Sequence, residues 1–453
     1  MKWVALNIRA KILIGLTILV LVGIAGFAVW RVRLALDLNR ELAAIQAEGL
    51  PVNGDQANVY YTAVSSSSNA ALRMADAFEL LTNLHGQRSN AVLAINFPAR
   101  KQSLSADQLE LVADYCAMNA DALAMAESAG KLPASRYPMD LTWDAATMLP
   151  HLGPLKRLAV IAEDRCLLDP TNCAEPISVI IGIAHTLDSE PIIISKMLRI
   201  ALLAMAAQSL EHSLNATPLS DQDLARLEQR FAASEQTNQI ANALIGERAM
   251  NIRYFRMSLA EIQRLANQSE DNSTANGGPP IPGNQPLFSR ITGFFDRDLR
   301  FYLGAMKTNI WLQQYTPLNT AQITNVDNQN FSNARQRFYI MSGMVLPPVR
   351  ICIAKNLRCL AMVRTAELAL AVEQFRAKEM HLPENLSKLV PDFIDRVPAD
   401  PFDGQPLRYK ILDKGYVIYS VGLDGQDNGG RERPADAKRS DQTPYDITFT
   451  VER

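Results

Sequence analysis

The sequence predicts a mainly α-helical protein that ends in a small antiparallel β-sheet. Residues 12–30 form an uncharged, strongly apolar run of 19 residues near the N-terminus. From Val32 to about Met380 apolar residues recur with a period near 3.6, which is typical of amphipathic helices. Beyond Met380 prolines become frequent and alternating runs follow, which indicates strands. We expect a membrane helix, an all-α bundle or solenoid-like region and a terminal sheet.

The apolar run, ILIGLTILVLVGIAGFAVW, predicts a single transmembrane helix. About 20 apolar residues are needed to cross a bilayer as a helix, and Trp30 at its end suits an interfacial position. Basic residues precede the run, and the basic residues that follow it have Asp37 and Glu41 among them, so the positive-inside rule favours a cytoplasmic N-terminus and an exported body. The small residues Gly26 and Ala28 leave a cleaved signal peptide as the alternative.

Charge and length narrow the classes of function. The chain has 453 residues and a net charge of -2, from 45 basic and 47 acidic side chains. Such a balance creates no field that would concentrate nucleic acid, so we expect no nucleic-acid partner. The length is enough for two or three domains with cores of their own.

Helix signals organise the middle of the chain. Ser105 and Gln108 form a capping-box pattern before a long helical run that Gly130 ends, and Ser220 caps another helix. The sequence predicts further helices at residues 55–83, 143–168, 177–187, 192–214, 239–265, 289–315, 334–346 and 350–380.

Three domains are predicted from these patterns: a membrane anchor at 1–31, an exported all-helical region at 32–349 and a helix-plus-sheet region at 350–453. Residues 267–286, rich in Asn, Gly and Pro, predict a mobile loop within the second domain. In the third, LRYKIL and YVIYSV form a hairpin around a turn at Gly415, and DITFTVER supplies a third strand.

The five cysteines show no metal-ligand spacing. Cys166 and Cys173 flank a turn sequence and could form a disulfide in an exported protein. Cys116, Cys352 and Cys359 are expected to be buried small side chains.

The C-terminal quarter contains two motifs that occur together in one known family. DPFDGQPLRY and YSVGLDGQDNGG, followed by DITF, resemble the periplasmic part of the major pseudopilin of type II secretion systems. The resemblance covers residues 364–453 and implies a long helix followed by a small antiparallel sheet. The N-terminus departs from that family, because it has neither the prepilin-peptidase junction nor the early glutamate of pseudopilins.

The resemblance also implies a calcium-binding loop. Its ligands would be the carboxylates of Asp424 and Asp446 and the carbonyl of Val421, with Gln426 as a further carbonyl donor. Tyr445 stands where the family often has another aspartate.

The residues of this loop support the same chemistry independently. Asp424, Asp427 and Asn428 could supply several of the six to eight oxygens that calcium prefers, on a turn that glycines permit. The alternative is a purely structural turn, in which the Asp side chains accept hydrogen bonds from backbone amides.

The sequence contains no known catalytic motif. The histidines, at 85, 151, 185, 212 and 381, are scattered, and no GxSxG, HExxH or P-loop string is present. The acidic pairs Glu163–Asp164 and Asp188/Glu190 are expected to be solvated or capping charges.

We therefore expect a non-enzymatic, single-pass protein of the bacterial inner membrane. Its N-terminus would be cytoplasmic and its bulk periplasmic, with other envelope proteins as partners in assembly related to type II secretion. Two alternatives remain open: a membrane-anchored hydrolase with dispersed site residues, and a true pseudopilus subunit.

Overall fold

The computed structural model describes residues 8–84, 88, 91–92, 94–95, 97–98, 100, 102–142, 149–236, 238–258, 287–313, 320–434 and 444–453. The predicted loop at 267–286 lies outside these residues. Within them the protein is mainly helical, with one three-stranded sheet, as the sequence predicts.

The helices of the first half run from the apolar N-terminal helix to the centre of the body. They are α1 (Ile8–Ala47), α2 (Gly54–Tyr60), α3 (Ala70–Glu79), α4 (Ala106–Met118), α5 (Ala120–Ala129), α6 (Leu152–Leu168), α7 (Ala174–His185) and α8 (Ile193–Ala216). The second half has α9 (Asp221–Ser234), α10 (Gln239–Asn251), α11 (Leu287–Thr292), α12 (Phe294–Leu312), α13 (Thr320–Gln336), α14 (Ile340–Val345) and α15 (Val349–Glu379).

Several predicted helix boundaries are wrong, each for a local reason. The predicted helix at 55–83 is interrupted after Tyr60, and α3 restarts where the Asn69 side chain accepts the amide hydrogen of Ala71. The helix that begins at the Ser105 capping box is divided at Asn119, while the box itself is confirmed. Helix α13 was not predicted, because it is strongly polar and shows little apolar periodicity.

The body is a bundle rather than a solenoid. Helix α15 packs against α8 and α9, which lie far earlier in the chain, and α7 is surrounded by α5, α6, α8 and α9. In a solenoid each unit would contact only its neighbours in sequence. One hydrophobic cluster extends from Leu38 in α1 to Val451 in the last strand, so the body and the C-terminal region share a core.

The sheet has the order β1-β2-β3 and is antiparallel throughout, with β1 at Arg408–Ile411, β2 at Tyr416–Ser420 and β3 at Ile447–Val451. The predicted turn at Gly415 is confirmed: its φ is +83°, and a Cβ there would lie 1.8 Å from the carbonyl oxygen of Val451. Strand β2 is buried along its whole length because α15 covers the sheet.

The C-terminal sheet is joined to the body by side chains of α8. The Asn215 amide donates to the carbonyl oxygen of Thr450 at 2.7 Å and accepts the amide hydrogen of Glu452 at 2.8 Å. The Glu211 carboxylate accepts the amide hydrogen of Thr450 at 2.8 Å. The outer edge of β3 therefore bonds to α8, whereas β1 forms the other edge of the sheet in the described chain.

All five cysteines lie in described parts of the chain, where they are buried and unbridged. The Cys166 thiol donates to the backbone carbonyl oxygen of Cys173 at 3.9 Å, and interaction with the Cys166 side chain is the first cause of a lowered pKa at Cys173. The two side chains are thus adjacent, as a disulfide would require.

Candidate functional site

A groove lies between the end of α7, the end of α9 and the loops around α3 and α5. Its volume is about 780 Å³. The polar side chains that line the groove include Ser65, Ser135, His185, Asp188, Arg230 and Gln236.

The floor of the groove forms where α5 and α7 cross at very short distance. A Cβ on Gly182 would lie 3.0 Å from the Cα of Gly130, so the crossing depends on both residues lacking a side chain. The close crossing brings the C-terminal end of α7, and with it His185, to the groove.

His185 connects a serine to an aspartate. Its Nε2 atom lies 3.1 Å from the Oγ of Ser234, and its Nδ1 atom lies 3.1 Å from the Asp188 carboxylate. This connectivity is the one that nucleophilic hydrolases use, in which histidine takes the serine proton and aspartate orients the histidine.

Other bonds hold the same three residues in structural roles. Ser234 is 3% exposed, and its hydroxyl donates to the carbonyl oxygen of Arg230 at 2.8 Å. Asp188 also accepts hydrogen bonds from Arg199 Nε at 2.5 Å and from Gln236 Nε2 at 2.6 Å. The network ties the ends of α7 and α9 to α8.

The charge balance of the network keeps Asp188 ionised. Burial raises its pKa, but the hydrogen bond from His185 and the charge of Arg199 outweigh burial, and the net pKa is lowered. The expectation that Asp188 is a solvated charge is therefore wrong, because it accepts bonds from three side chains.

Lys196 lies beside this network and is 1% exposed. Its ammonium donates to the carbonyl oxygens of Leu187 at 2.8 Å and Asp188 at 2.5 Å, just beyond the end of α7. Burial lowers its pKa to about 7, with a smaller contribution from the positive charge of Arg199.

A second histidine–carboxylate pair is closed off from solvent. His151 Nε2 lies 2.8 Å from Glu190 Oε1, and both side chains are almost fully buried. The ring of Tyr137 stacks on His151 at 4.1 Å between centroids. The distance between Nε2 and Oε1 is short enough for an ion pair, but the two atoms do not form a hydrogen bond. Glu190 is thus a further acid that was wrongly expected to be solvated.

The acidic pair Glu163–Asp164 is also buried, contrary to the expectation from sequence. The two residues are 8% and 9% exposed. Burial raises the pKa of Glu163 to about 8, with the neighbouring Asp164 charge adding to the effect, and raises that of Asp164 to about 7. Helix α6 has neighbours on several sides, so it has no fully solvated face for these carboxylates.

The predicted calcium ligands occupy the loops that follow β2 and precede β3. Asp446 is 2% exposed, and its carboxylate accepts the amide hydrogens of Asn428 at 3.2 Å and Gly430 at 2.8 Å. Asp424 accepts the amide hydrogen of Gln426 at 3.1 Å, and Asp427 accepts that of Gly429 at 2.9 Å.

These contacts are those of a hydrogen-bonded turn, in which each carboxylate binds backbone amides of its own loop. In the described parts of the chain no three His, Cys, Asp or Glu side chains are grouped as metal ligands. A grouping of side chains leaves out backbone carbonyl ligands such as that of Val421. It therefore does not test the calcium site, and calcium binding stays a prediction.

Asp400 organises the C-terminal motifs, and no sequence rule singled it out. It is 1% exposed and accepts hydrogen bonds from the Ser420 hydroxyl and the Val421 amide, both at 2.9 Å. It also pairs with Arg408 at 2.7 Å. The DPFDG turn is thereby fastened to the end of β2.

Comparisons with family models, with curated proteins and with solved structures find no match for this chain.

Proposed function

We propose that this chain is a membrane-anchored envelope protein that acts by binding other envelope proteins, with its pseudopilin-like tail fixed on a helical body. The observation that carries the proposal is the division of α1 into two halves. Residues of the apolar half, such as Val20 and Leu21, are more than half exposed, whereas Leu34 and Leu38 farther along are 5% and 4% exposed.

The division supports a retained anchor rather than a cleaved leader. Helix α1 continues without interruption from the apolar run into the part that packs on α12. Cleavage after Ala28 would leave a new helix end only two residues before Arg31, which forms an ion pair with Asp296 at 2.5 Å. This arrangement and the positive-inside rule support the proposal of an exported body above a single span.

The binding role is supported by the sheet. Strand β1 is only partly buried and its Ile411 is 48% exposed, while β3 is bonded to α8. An open edge strand is a common place for another chain to bind. We place the contact with an envelope partner, of the class that assembles with type II secretion, at β1.

The anchor is tested by two arginines placed in the apolar half of α1. Each charge at the centre of a membrane helix costs roughly 3 kcal/mol. The chain with Val20→Arg and Leu21→Arg should leave alkali-washed membranes, and the control Ala44→Arg, in the exposed part of α1 beyond the run, should remain. If the unaltered chain, the double arginine variant and Ala44→Arg all remain in the membranes to the same extent, the proposed anchor is wrong.

The binding role is tested by photo-crosslinking from Ile411 in a bacterial host with a type II secretion system. We expect one discrete heavier species that contains an envelope protein, and none from Thr308, which lies on an exposed face of α12. The absence of a species specific to Ile411 would remove the contact from β1.

A second candidate function, hydrolysis, is favoured by the Ser234–His185–Asp188 connectivity beside the groove. The burial of Ser234 and its bond to Arg230 weigh against it, because a nucleophile must reach its substrate. Reaction with a fluorophosphonate probe tests this function. If the probe labels the unaltered chain and Ser189→Ala but does not label Ser234→Ala, the chain is a serine hydrolase. If the unaltered chain is not labelled, the hydrolase function is wrong.

The geometry also argues against a fibre subunit. The tail shares its core with the body, and side chains of α8 bond to one edge of its sheet. A pseudopilus subunit would instead need the tail to continue directly from the membrane helix.

A further inference from the structure

We infer that α11 and α14 form a second membrane contact, which lies in the interface of the bilayer that α1 spans and holds the body in one orientation. This inference rests on the proposed membrane anchor. Its starting observation is a pair of exposed apolar side chains on α11: Phe288 is 75% exposed and Ile291 is 54% exposed.

Arg31 fixes the height of α11 relative to the membrane. It directly follows Trp30, the last residue of the apolar run, so it lies where the hydrocarbon ends. Its guanidinium donates to the carbonyl oxygen of Arg290 at 3.3 Å and to the Asp296 carboxylate at 2.5 Å. The end of α11 is therefore held at the level of the membrane boundary.

The direction of α12 places α11 on the membrane side of the body. Asp296 pairs with Arg31, and four residues later Arg300 pairs with Asp37 at 3.3 Å. Both helices therefore run in the same direction, away from the apolar run. Because α11 directly precedes α12, it lies at the end of α12 that is nearest to the bilayer.

Helix α14 brings further apolar surface to the same level. The carboxylate of Asp298 accepts the amide hydrogens of Met341 at 2.8 Å and Ser342 at 3.1 Å. Ile340 and Met344 in this helix are 54% and 65% exposed. Asp298 lies about 3 Å beyond Asp296 along α12, at about 1.5 Å per residue.

That distance is within the interfacial zone. Bilayers have headgroup regions of about 5–7 Å on each side of the hydrocarbon core. Side chains on α11 and α14 thus reach the depth at which partly apolar, partly charged segments bind membranes.

Exposed basic residues occur on the same elements. Arg290 is exposed on α11, Arg297 is exposed in the first turn of α12, and Arg33 is exposed two residues beyond Arg31. Arginine side chains near a bilayer bind lipid phosphates and are attracted to anionic lipids. Continuity with the span and these exposed basic residues favour lipid, rather than a second protein copy, as the occupant.

The test measures the depth of single labels in the full chain. The native cysteines are buried, so a cysteine introduced by Phe288→Cys can carry an environment-sensitive fluorophore. The chain is placed in nanodiscs of phosphatidylcholine with a minority of phosphatidylglycerol. Spin-labelled lipids then quench fluorophores at headgroup depth or at the bilayer centre.

Two control positions define the scale. Val20→Cys lies within the apolar run and should be quenched by the deep spin label. Thr308→Cys lies about 18 Å farther along α12 than Asp296, at about 1.5 Å per residue, and is exposed to water. We expect the Phe288→Cys label to lose most of its emission to the headgroup-level quencher, and the Thr308→Cys label to lose almost none.

Each other outcome overturns the inference in a distinguishable way. If Phe288→Cys behaves like Thr308→Cys while Val20→Cys is quenched, the anchor stands and the second contact is wrong. If Val20→Cys also escapes quenching, the proposed anchor itself fails. If the Phe288→Cys label is shielded from water, unquenched by lipid and present in particles of doubled protein mass, a second copy covers the patch instead.

Discussion

Asp400 shows how one buried carboxylate can hold a terminal region together. It receives a hydroxyl, backbone amides and a guanidinium while almost fully buried. A buried charge is stable only when such partners replace its lost hydration. The residue therefore joins the DPFDG turn, β1 and the end of β2 into one unit.

The variant Asp400→Asn should lower the free energy of unfolding by about 3 kcal/mol. It leaves Arg408 with an uncharged partner, and its side-chain NH2 group can face the backbone N–H of Val421, which needs an acceptor. Chemical denaturation measures the change. The matched control Asp403→Asn removes a partly exposed partner of the same arginine and should cost less than about 1 kcal/mol. Equal losses in the two variants would show that burial is not the cause.

The buried acids of α6 predict a pH dependence of stability. The pKa of Glu163 is raised from 4.5 to about 8 in the folded protein. Between these two pH values the folded chain keeps the Glu163 proton, whereas the unfolded chain releases it. The free energy of unfolding therefore falls as the pH rises. The protein should therefore become less stable from about pH 5 to about pH 7.

The variant Glu163→Gln should flatten that decline by at most about 1.4 kcal/mol per pH unit. Thermal unfolding at several pH values measures it. Glu110→Gln, at an exposed position of the adjacent α4, serves as the control. A decline of the same steepness in Glu163→Gln and in the unaltered chain would refute the assignment.

Among the elements, β3 depends most clearly on a neighbour. Asn215 bonds to the backbone of β3 on both sides of Val451 and so completes the hydrogen bonding of an edge strand. The variant Asn215→Ala leaves two backbone groups unpaired.

The expected cost of Asn215→Ala is about 2 kcal/mol, because each buried backbone group that loses its partner costs about 1 kcal/mol or more. Hydrogen exchange of the amides in β3 should accelerate, while that of α7 stays unchanged. Gln208→Ala, on an exposed face of α8, is the control. Unchanged exchange in β3 would contradict the role of Asn215.

The sequence predicted elements well where local signals are strong. The Ser105 capping box, the turn at Gly415 and the three strands all follow from residues close together in the chain. It failed where tertiary contacts decide. Helix α13 has no apolar period to reveal it, and α6 carries charged residues on buried faces, which periodicity assigns to solvent.

The candidate site residues also fall into two groups, those that local sequence predicts and those that only tertiary packing brings together. Asp424 and Asp427 are found in turns, which their Asp-Gly and Asn-Gly neighbours predict, whereas Asp446 directly precedes β3 and accepts amide hydrogens from the far side of the loop. The contacts of His185 with Ser234 and Asp188 could not be predicted, because Ser234 lies on another helix and only the packing of α7 against α9 brings it near.

At the scale of the whole molecule, the helical body and the C-terminal region share one hydrophobic core. Helix α15 packs on α8 and α9 with one face and on β2 and β3 with another. The C-terminal helix and sheet are therefore fixed in place on the body. A tail held in this way would present β1 at a constant position relative to the membrane anchor.

The central claim is a retained single span with an exported body, and cysteine labelling in spheroplasts of a bacterial host tests it most directly. Met380 is 85% exposed in the body, so Met380→Cys should react with a membrane-impermeant maleimide in intact spheroplasts, in chains that stay in alkali-washed membranes. Lys2→Cys should react only after lysis. Reaction of Met380→Cys only after lysis, or recovery of the labelled chain in the soluble fraction, would contradict the account.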